Sequence, residues 1–325
     1  MARFSYGGQA LIEGVLMRGR DAIAVALRHP DGRIVWASER IDTGVHGSRV
    51  ARLPFVRGLV VLYETIVIGT RWLVRSASVA ASEEGIEIGR GAVALMLAIM
   101  LFVGVGIFFV LPLFIASVAT GNGLVPAADG GGILGALVEG LIRVALFLVY
   151  LLLIAQTPDV RRVFQYHGAE HMTIHALEAN DPLTIEHVRR YPTAHPRCGT
   201  EFLVVVVILS ILVFSVVGHL AGHATLAFTI GSRIILIPVI AAVGYELLKL
   251  GARFRSFALV RAVTYPGILV QKITTKQPTD DMIEVAIVSM ERALTADRES
   301  IPAGSDLFDA EPMLLPGRTA PADPG

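Results

Sequence analysis

The sequence predicts a mainly α membrane protein: about four transmembrane helices, a small N-terminal α+β cytoplasmic piece and a cytoplasmic histidine-rich loop. Three observations carry this. Hydrophobic residues make up 54% of the 325-residue chain and charged residues 17%, with a mean hydropathy of +0.63, a balance foreign to ordinary soluble enzymes. Four stretches are apolar over the roughly 20 residues a helix needs to cross a bilayer. Arginine and lysine are absent from 120–132 and 221–232, in the first and third connections between those stretches.

Taken in order, residues 1–54 form a β-rich segment. Within it AIAVALRHPDGRIVWASERI reads as two strands joined at Pro30-Asp31-Gly32, a turn-forming triplet. GGQALIEGVLMRG at 7–19 reads as a strand and turn. Residues 55–90 hold apolar positions at helical spacing interrupted by Arg57, Glu64, Arg71 and Arg75. That pattern suits an amphipathic helix lying in the membrane interface better than a span. The first two spans, 93–119 and about 134–156, occupy the 91–156 region; the second carries Glu139 and Arg143, expected as an i, i+4 pair with Arg143 snorkelling to the interface. Residues 157–201 form the histidine-rich loop. Spans three and four, about 202–220 and 234–250, lie within 202–250. The C-terminal segment 251–298 carries an apolar ridge at Ile283, Ala286, Ile287, Met290 and Leu294, with Asp280 and Asp281 placed where a helix N-terminus favours negative charge. Residues 299–325, rich in Pro, Ala, Asp and Gly, read as a disordered tail.

Charge distribution sets orientation. Twelve arginines precede the first span, five lie between spans two and three, and none falls in 120–132 or 221–232. The positive-inside rule then puts both termini and the 157–201 loop in the cytoplasm. The N-terminus lacks the long apolar core and small-residue site of a removable signal peptide. One cysteine, Cys198, excludes an internal disulfide framework. A formal net charge of zero gives no nucleic-acid footprint. The expected partners are the lipid bilayer and either a membrane-associated substrate or a soluble cytoplasmic protein.

The densest chemistry lies in YHGAEHMTIHALE at 166–178. On a helix, His167, His171 and His175 fall at about 0°, 40° and 80°, Glu178 at about 20° and Glu170 at about −60°. Imidazoles at i and i+4 are close enough to share a metal ion. His167 to His171 also fits H-x-x-E-H, in which two histidines ligate zinc and the glutamate polarises water. HPRCGTE at 195–201 adds His195 and Cys198 three residues apart, usable for a borderline-soft metal or for a thiolate with His195 as base. Glu246, at the end of the fourth span, and Glu13, in the N-terminal glycine-rich motif, are further candidates; Gln9 and Glu13 lining the histidine pocket is one option there. Competing readings are a merely hydrated histidine face, a structural HPRC loop and a structural role for the N-terminal motif.

GGQALIEGVLMRG, FVRGLVVLYE at 55–64, YHGAEHMTIHALE, HPRCGTEFL at 195–203 and YPGILVQKITTKQPTDDMIEVAI at 265–287 together resemble the YqhQ-like family of bacterial membrane proteins. That family is a domain of unknown function described as a predicted metal-dependent enzyme. The resemblance implies a polytopic inner-membrane protein with a metal site on His167, Glu170, His171, His195 and Cys198. One departure is Met172, where the resemblance leads us to expect lysine. The combined expectation is a divalent transition metal, zinc first, in a cytoplasm-facing hydrolase. His167 and His171 would be ligands, the third coming from His175, His195 or Cys198, with Glu170 as general base and Glu178 nearby. The alternative is a non-catalytic membrane scaffold or assembly factor whose metal is structural.

Overall fold

A computed structural model describes residues 6–41, 48, 53–82, 90–119, 132–195, 198–221, 226–254 and 257–313. It is mostly helical, with a small sheet and four helices long and apolar enough to cross a membrane.

The sheet forms where the turn chemistry demands it. β1 (Gly7–Leu11) and β2 (Gly14–Arg18) pair antiparallel, with Leu11 opposite Gly14. Glu13 takes the left-handed conformation in the turn, at φ 55°. Gly14 has no room for a β-carbon, which would overlap the carbonyl oxygen of Ala26 on the next strand. β3 (Ala22–Arg28) and β4 (Ile34–Arg40) pair across the expected Pro30-Asp31-Gly32 turn, closed by Gly32 at φ 91° and by a 2.9 Å bond from the His29 N–H to the Arg33 carbonyl. β5 (Glu311–Pro312) adds in parallel to β4, giving the order β1-β2-β3-β4-β5.

This sheet is covered on both faces, which is why β3 reads as an almost unbroken apolar run instead of alternating. On one face, Leu16, Ile23, Val25 and Leu27 pack under Ile68 and Trp72 of α1 (Val56–Ala80). On the other, Val15, Met17, Ala24 and Ala26 pack against α5 (Pro158–Ala179) and α10 (Asp280–Ala296). The predicted ridge on α10 is fully buried there: Ile283, Ala286, Ile287, Met290 and Leu294 are all 0% exposed. Each large aliphatic side chain so buried contributes about 1.5–3 kcal/mol. Residues 1–54 and 251–298, separate segments in the sequence, therefore share one core. Strand period and helix period each reveal an apolar face, but not which faces meet.

Part of the expected tail is ordered as well. Met313 N–H donates to the Trp36 carbonyl at 2.6 Å and Asp306 N–H to the Leu183 carbonyl at 3.2 Å, so 299–313 completes the sheet edge. Backbone pairing of this kind needs few apolar side chains and leaves little compositional signal. Residues 314–325 lie outside the described set, as do 120–131.

The helical part begins with α2 (Arg90–Val105), a π-helical turn at Gly106–Val110 and α3 (Leu111–Ala119). α4 (Gly132–Ile154) leads through Pro158 directly into α5. After the short α6 (Ile185–Val188) come α7 (Gly199–Ala221) and α8 (Leu226–Arg253). Their apolar windows, 91–108, 137–154, 201–221 and 231–251, fall on the four expected spans. α1 carries exposed Leu59, Tyr63, Ile66 and Val67 on one side and Glu64, ion-paired with Arg18, on the side facing the sheet. α9 (Ala258–Thr274), not anticipated as a separate helix, packs against α7 and bridges the bundle to α10.

Candidate metal centre

The site is assembled on α5. Pro158 opens the helix at its first position, after Thr157, and Asn180 closes it in the left-handed conformation at φ 59°. The break at Pro158 separates an apolar helix from one that packs into the core with the sheet and α10. As the helical periodicity predicts, His167, His171, His175 and Glu178 share one side.

Three backbone carbonyls fix the imidazoles. His167 Nδ1 lies 2.9 Å from the Thr274 oxygen and His171 Nδ1 lies 2.6 Å from the Thr193 oxygen. His175 Nε2 lies 3.0 Å from the Ala194 oxygen. A carbonyl only accepts, so each of these nitrogens carries the proton. In the neutral ring of His167 or His171 this leaves the lone pair on Nε2, the tautomer metal-ligating histidines adopt. Cys198 Sγ lies 3.3 Å from His167 Nε2. Donor atoms of His167, His171 and Cys198 all fall within 4.8 Å of one another. Zinc–nitrogen and zinc–sulfur bonds at a tetrahedral angle would separate N and S by about 3.6 Å, so this geometry needs little adjustment.

His171 is 1% exposed; burial, reinforced by His167, holds its pKa down at about 2. It stays neutral and able to donate a lone pair at any physiological pH.

Glu170 projects beside this group. It is 4% exposed, and burial pushes its pKa up to about 8, opposed by His167 and assisted by Cys198. Gly8 in β1 donates its backbone N–H to the carboxylate, and a β-carbon at Gly8 would sit 2.8 Å from Glu170 Oε1. Glu170 Oε2 is buried with no hydrogen-bond partner among the described residues.

The remaining candidates form a second row. His195 Nε2 lies 3.4 Å from Glu178 Oε2, and the His195 ring centroid is 4.4 Å from that of His175 and 5.8 Å from that of His171. Gln271 of α9 clamps the His195 backbone at both ends, donating to its carbonyl at 3.0 Å and accepting from its N–H at 2.9 Å. Tyr191 stacks on His175 at 6.0 Å, nearly parallel. The imidazole beside the Cys198 thiol is thus His167, whereas the thiolate reading relied on His195. Pro196 and Arg197 lie outside the described residues.

Two predicted residues bond elsewhere. Glu13 accepts two 2.6 Å bonds from Arg162 and one from the Tyr166 hydroxyl at 3.3 Å. Glu246 pairs with Arg57 and accepts from the Phe55 N–H at 3.0 Å. Gln9 packs against Gly69 of α1. Each of these two carboxylates has an arginine of its own, so neither is drawn toward the imidazoles.

Several contributors escaped the sequence reading. Gly168 is the glycine of HGAEH, and a β-carbon there would overlap the carbonyl oxygen of Lys276. Its absence lets residues 274–276 approach α5, with Lys276 N–H bonded to the Phe164 carbonyl at 2.9 Å, and so brings the Thr274 oxygen to His167. Met172 is 0% exposed; a lysine there would put a charge in the core.

The match to known proteins follows the same residues. The family described as protein of unknown function (DUF1385) matches residues 53–296. The chain belongs to this family. A relative from Bacillus subtilis (strain 168), the uncharacterized protein YqhQ, is 30% identical over 303 residues, spanning 89% of this chain and 92% of its own length. No solved structure matches. The DUF1385 match takes in the imidazole helix, Cys198 and Gln271 but begins after Gly8.

Proposed function

We propose that this DUF1385 protein is a metal-dependent membrane enzyme of the hydrolase type, its site facing the cytoplasm at the bilayer surface. The observation that carries the reading is the convergence of donor atoms of His167, His171 and Cys198 within 4.8 Å, each imidazole locked by a carbonyl. His167, His171 and Cys198 would hold the ion, and two imidazole nitrogens with one thiolate sulfur and an open position suit zinc. The donors fit such an ion on a second count: the buried, unpartnered Oε2 of Glu170 calls for a cation or a bound water beside it.

When bound, the ion would supply Lewis-acid polarisation of a carbonyl or phosphoryl oxygen. The chain's own groups do the rest. Burial alone raises the Glu170 pKa to about 8, and the charge of a bound cation would favour its ionised form; Gly8 then holds Oε1 and leaves Oε2 to accept a proton from a nearby water. The Thr193 and Thr274 carbonyls keep His171 and His167 oriented, and His195 with Glu178 supports the outer side. Cys198 immediately precedes α7, whose apolar window begins at Glu201, so the substrate is one held at the membrane surface: a lipid or a membrane-attached peptide. The arginine-rich connections support the cytoplasmic orientation.

Zinc content of the purified full-length protein tests this. About one equivalent is expected, falling toward zero in His167→Ala/His171→Ala and in Cys198→Ser. Metal content unaffected by those changes would overturn the reading. The other reading, a scaffold with a structural metal, gains support from Glu170 itself, since a fourth protein ligand would close the site. In Glu170→Gln, retained metal with lost cellular function indicates catalysis; retained function with weakened metal binding and stability indicates structure.

A further inference from the structure

Charged side chains of the helical bundle turn toward one another, as lipid surroundings demand. Arg143 of α4 and Arg233 of α8 both donate to Oε1 of Glu139, each at 2.6 Å, so the pair expected to snorkel toward water is closed over by a third side chain. The same division between charged and apolar sides recurs on α1, outside the four apolar windows.

On a helical wheel with Leu59 at 0°, Leu73, Ile66, Tyr63 and Val67 fall between about −40° and 80°. All four charged residues of the helix, Arg57, Glu64, Arg71 and Arg75, fall between about 120° and 160°. The uncharged arc runs from Leu59 to Ala77, about 27 Å of helix. Three of the charges pair within the protein: Arg57 with Glu246, Glu64 with Arg18 and Arg71 with Glu39. The arc itself is open, with Tyr63 55% and Ile66 57% exposed and Leu59, Val67 and Leu73 exposed beside them. A helix with water on that side would carry polar groups there, and soluble surfaces rarely show so long an apolar strip.

The start of α1 identifies what covers the strip. Phe55 N–H donates to Glu246 Oε1 at 3.0 Å and Arg57 Nε to the same oxygen at 2.7 Å, while a β-carbon at Gly58 would sit 2.8 Å from that of Tyr245. Tyr245 and Glu246 belong to the apolar window of α8, about 7–9 Å of helix before its end at Gly251. α1 therefore begins at the depth where that window runs out, and there Leu247 and Leu250 of α8 are exposed too. The strip continues the exposed apolar surface of α8. The inward side of α1 is tied to the sheet: Ile68 and Trp72 pack under it, and Ser76 Oγ accepts from the Ile12 N–H at 3.2 Å.

We propose that the uncharged face of α1 binds the lipid bilayer, lying among the headgroups and first acyl carbons at the end of α8. A ring bearing a hydroxyl, as at Tyr63, is favoured at that boundary, and burial of the aliphatic side chains drives the contact. Docked this way, α1 holds the sheet at the lipid surface, and with it Gly8, next to the Gln9 that packs against Gly69. The contact involves no metal and stands independently of the function proposed above.

The full-length protein tests it in nanodiscs holding one copy each, with phosphatidylcholine brominated in the upper part of its acyl chains as a quencher of indole emission. The native chain, whose two tryptophans are the buried Trp36 and Trp72, gives the baseline. Leu153→Trp, at an exposed position within the apolar window of α4, gives the loss expected of an indole in lipid. The added emission of Tyr63→Trp should fall by at least half as much as that of Leu153→Trp. Should Tyr63→Trp not fold, Ile66→Trp on the same arc carries the same expectation. Emission that bromine leaves unchanged overturns the proposal: quenching by aqueous acrylamide would then make the strip a water-exposed surface, and protection from both would make it a protein interface. Discs holding two copies decide against a second molecule of this chain. Quenching should persist in them, and its loss there would make the strip a dimer contact and overturn the proposal.

Discussion

The imidazole face of α5 and the arginine group of α4 and α8 handle the same difficulty in opposite ways. Each buries several polar side chains. On α5 carbonyls orient the imidazoles, and burial keeps His171 uncharged. The arginines cannot be neutralised, so one carboxylate is shared between two cations. A neutral cluster is tolerable without its ligand and gains charge when a cation arrives. A permanently charged one leans on its counter-ion from the start. The first arrangement suits exchangeable chemistry, the second a fixed anchor.

The sharpest way to break that comparison is to remove one partner from each. Glu139→Gln removes the carboxylate that Arg143 and Arg233 share and should destabilise the protein by about 3–5 kcal/mol, the usual cost of breaking a buried ion pair from one side. His167→Gln, which forfeits one bond to a carbonyl, should cost about 1 kcal/mol in metal-free protein. Equilibrium unfolding in mixed micelles reads both. Equal costs would mean the imidazole group also carries charge in the folded state.

A smaller effect tests how the neutral cluster is held. Gln271 is 0% exposed and makes two bonds to the His195 backbone. Gln271→Leu keeps the volume but strands a buried N–H and a buried carbonyl, for about 1–3 kcal/mol of stability. If His195 braces the site, zinc affinity should also fall by about 10–100-fold, the range seen when residues behind metal ligands are changed. Competition with a fluorescent chelator measures it. A loss of stability with unaltered affinity would detach His195 from the centre.

Much of this was legible in advance, and the reasons are physical. Spans advertise themselves because nearly every residue of a membrane helix is apolar, and the α5 imidazoles do so because 3.6-residue periodicity alone puts them on one side. Pairings between distant segments left no such trace. Nothing in QKITTKQ announces that the Thr274 carbonyl orients His167, since backbone atoms are the same at every position. Gly168 was the available signal: a glycine inside a strong helical pattern marks a close approach, here to Lys276. The grouping of Arg233 with Glu139 was hidden for another reason. They are 94 residues apart, and sequence periodicity relates only neighbours on the same helix.

Glu291 supplies a third case against which the first two can be calibrated. It is buried on α10, 5% exposed, and its Oε1 has no hydrogen-bond partner among the described residues. Burial raises its pKa to about 7, partly offset by Arg292 and assisted by Asp306. Here neither a tautomer nor a shared counter-ion relieves the charge; protonation does. A carboxyl whose folded-state pKa exceeds its unfolded value of 4.5 contributes stability that is complete below pH 4.5 and is lost as pH rises through about 7. Glu291→Gln should therefore gain about 1–2 kcal/mol relative to the native chain at pH 8, after allowance for partial solvent screening, and gain nothing at pH 4. Unfolding midpoints of the two chains across that range measure the difference. A gap independent of pH would mean that Glu291 stays ionised when folded, and that this core tolerates an unrelieved charge the arginine group does not.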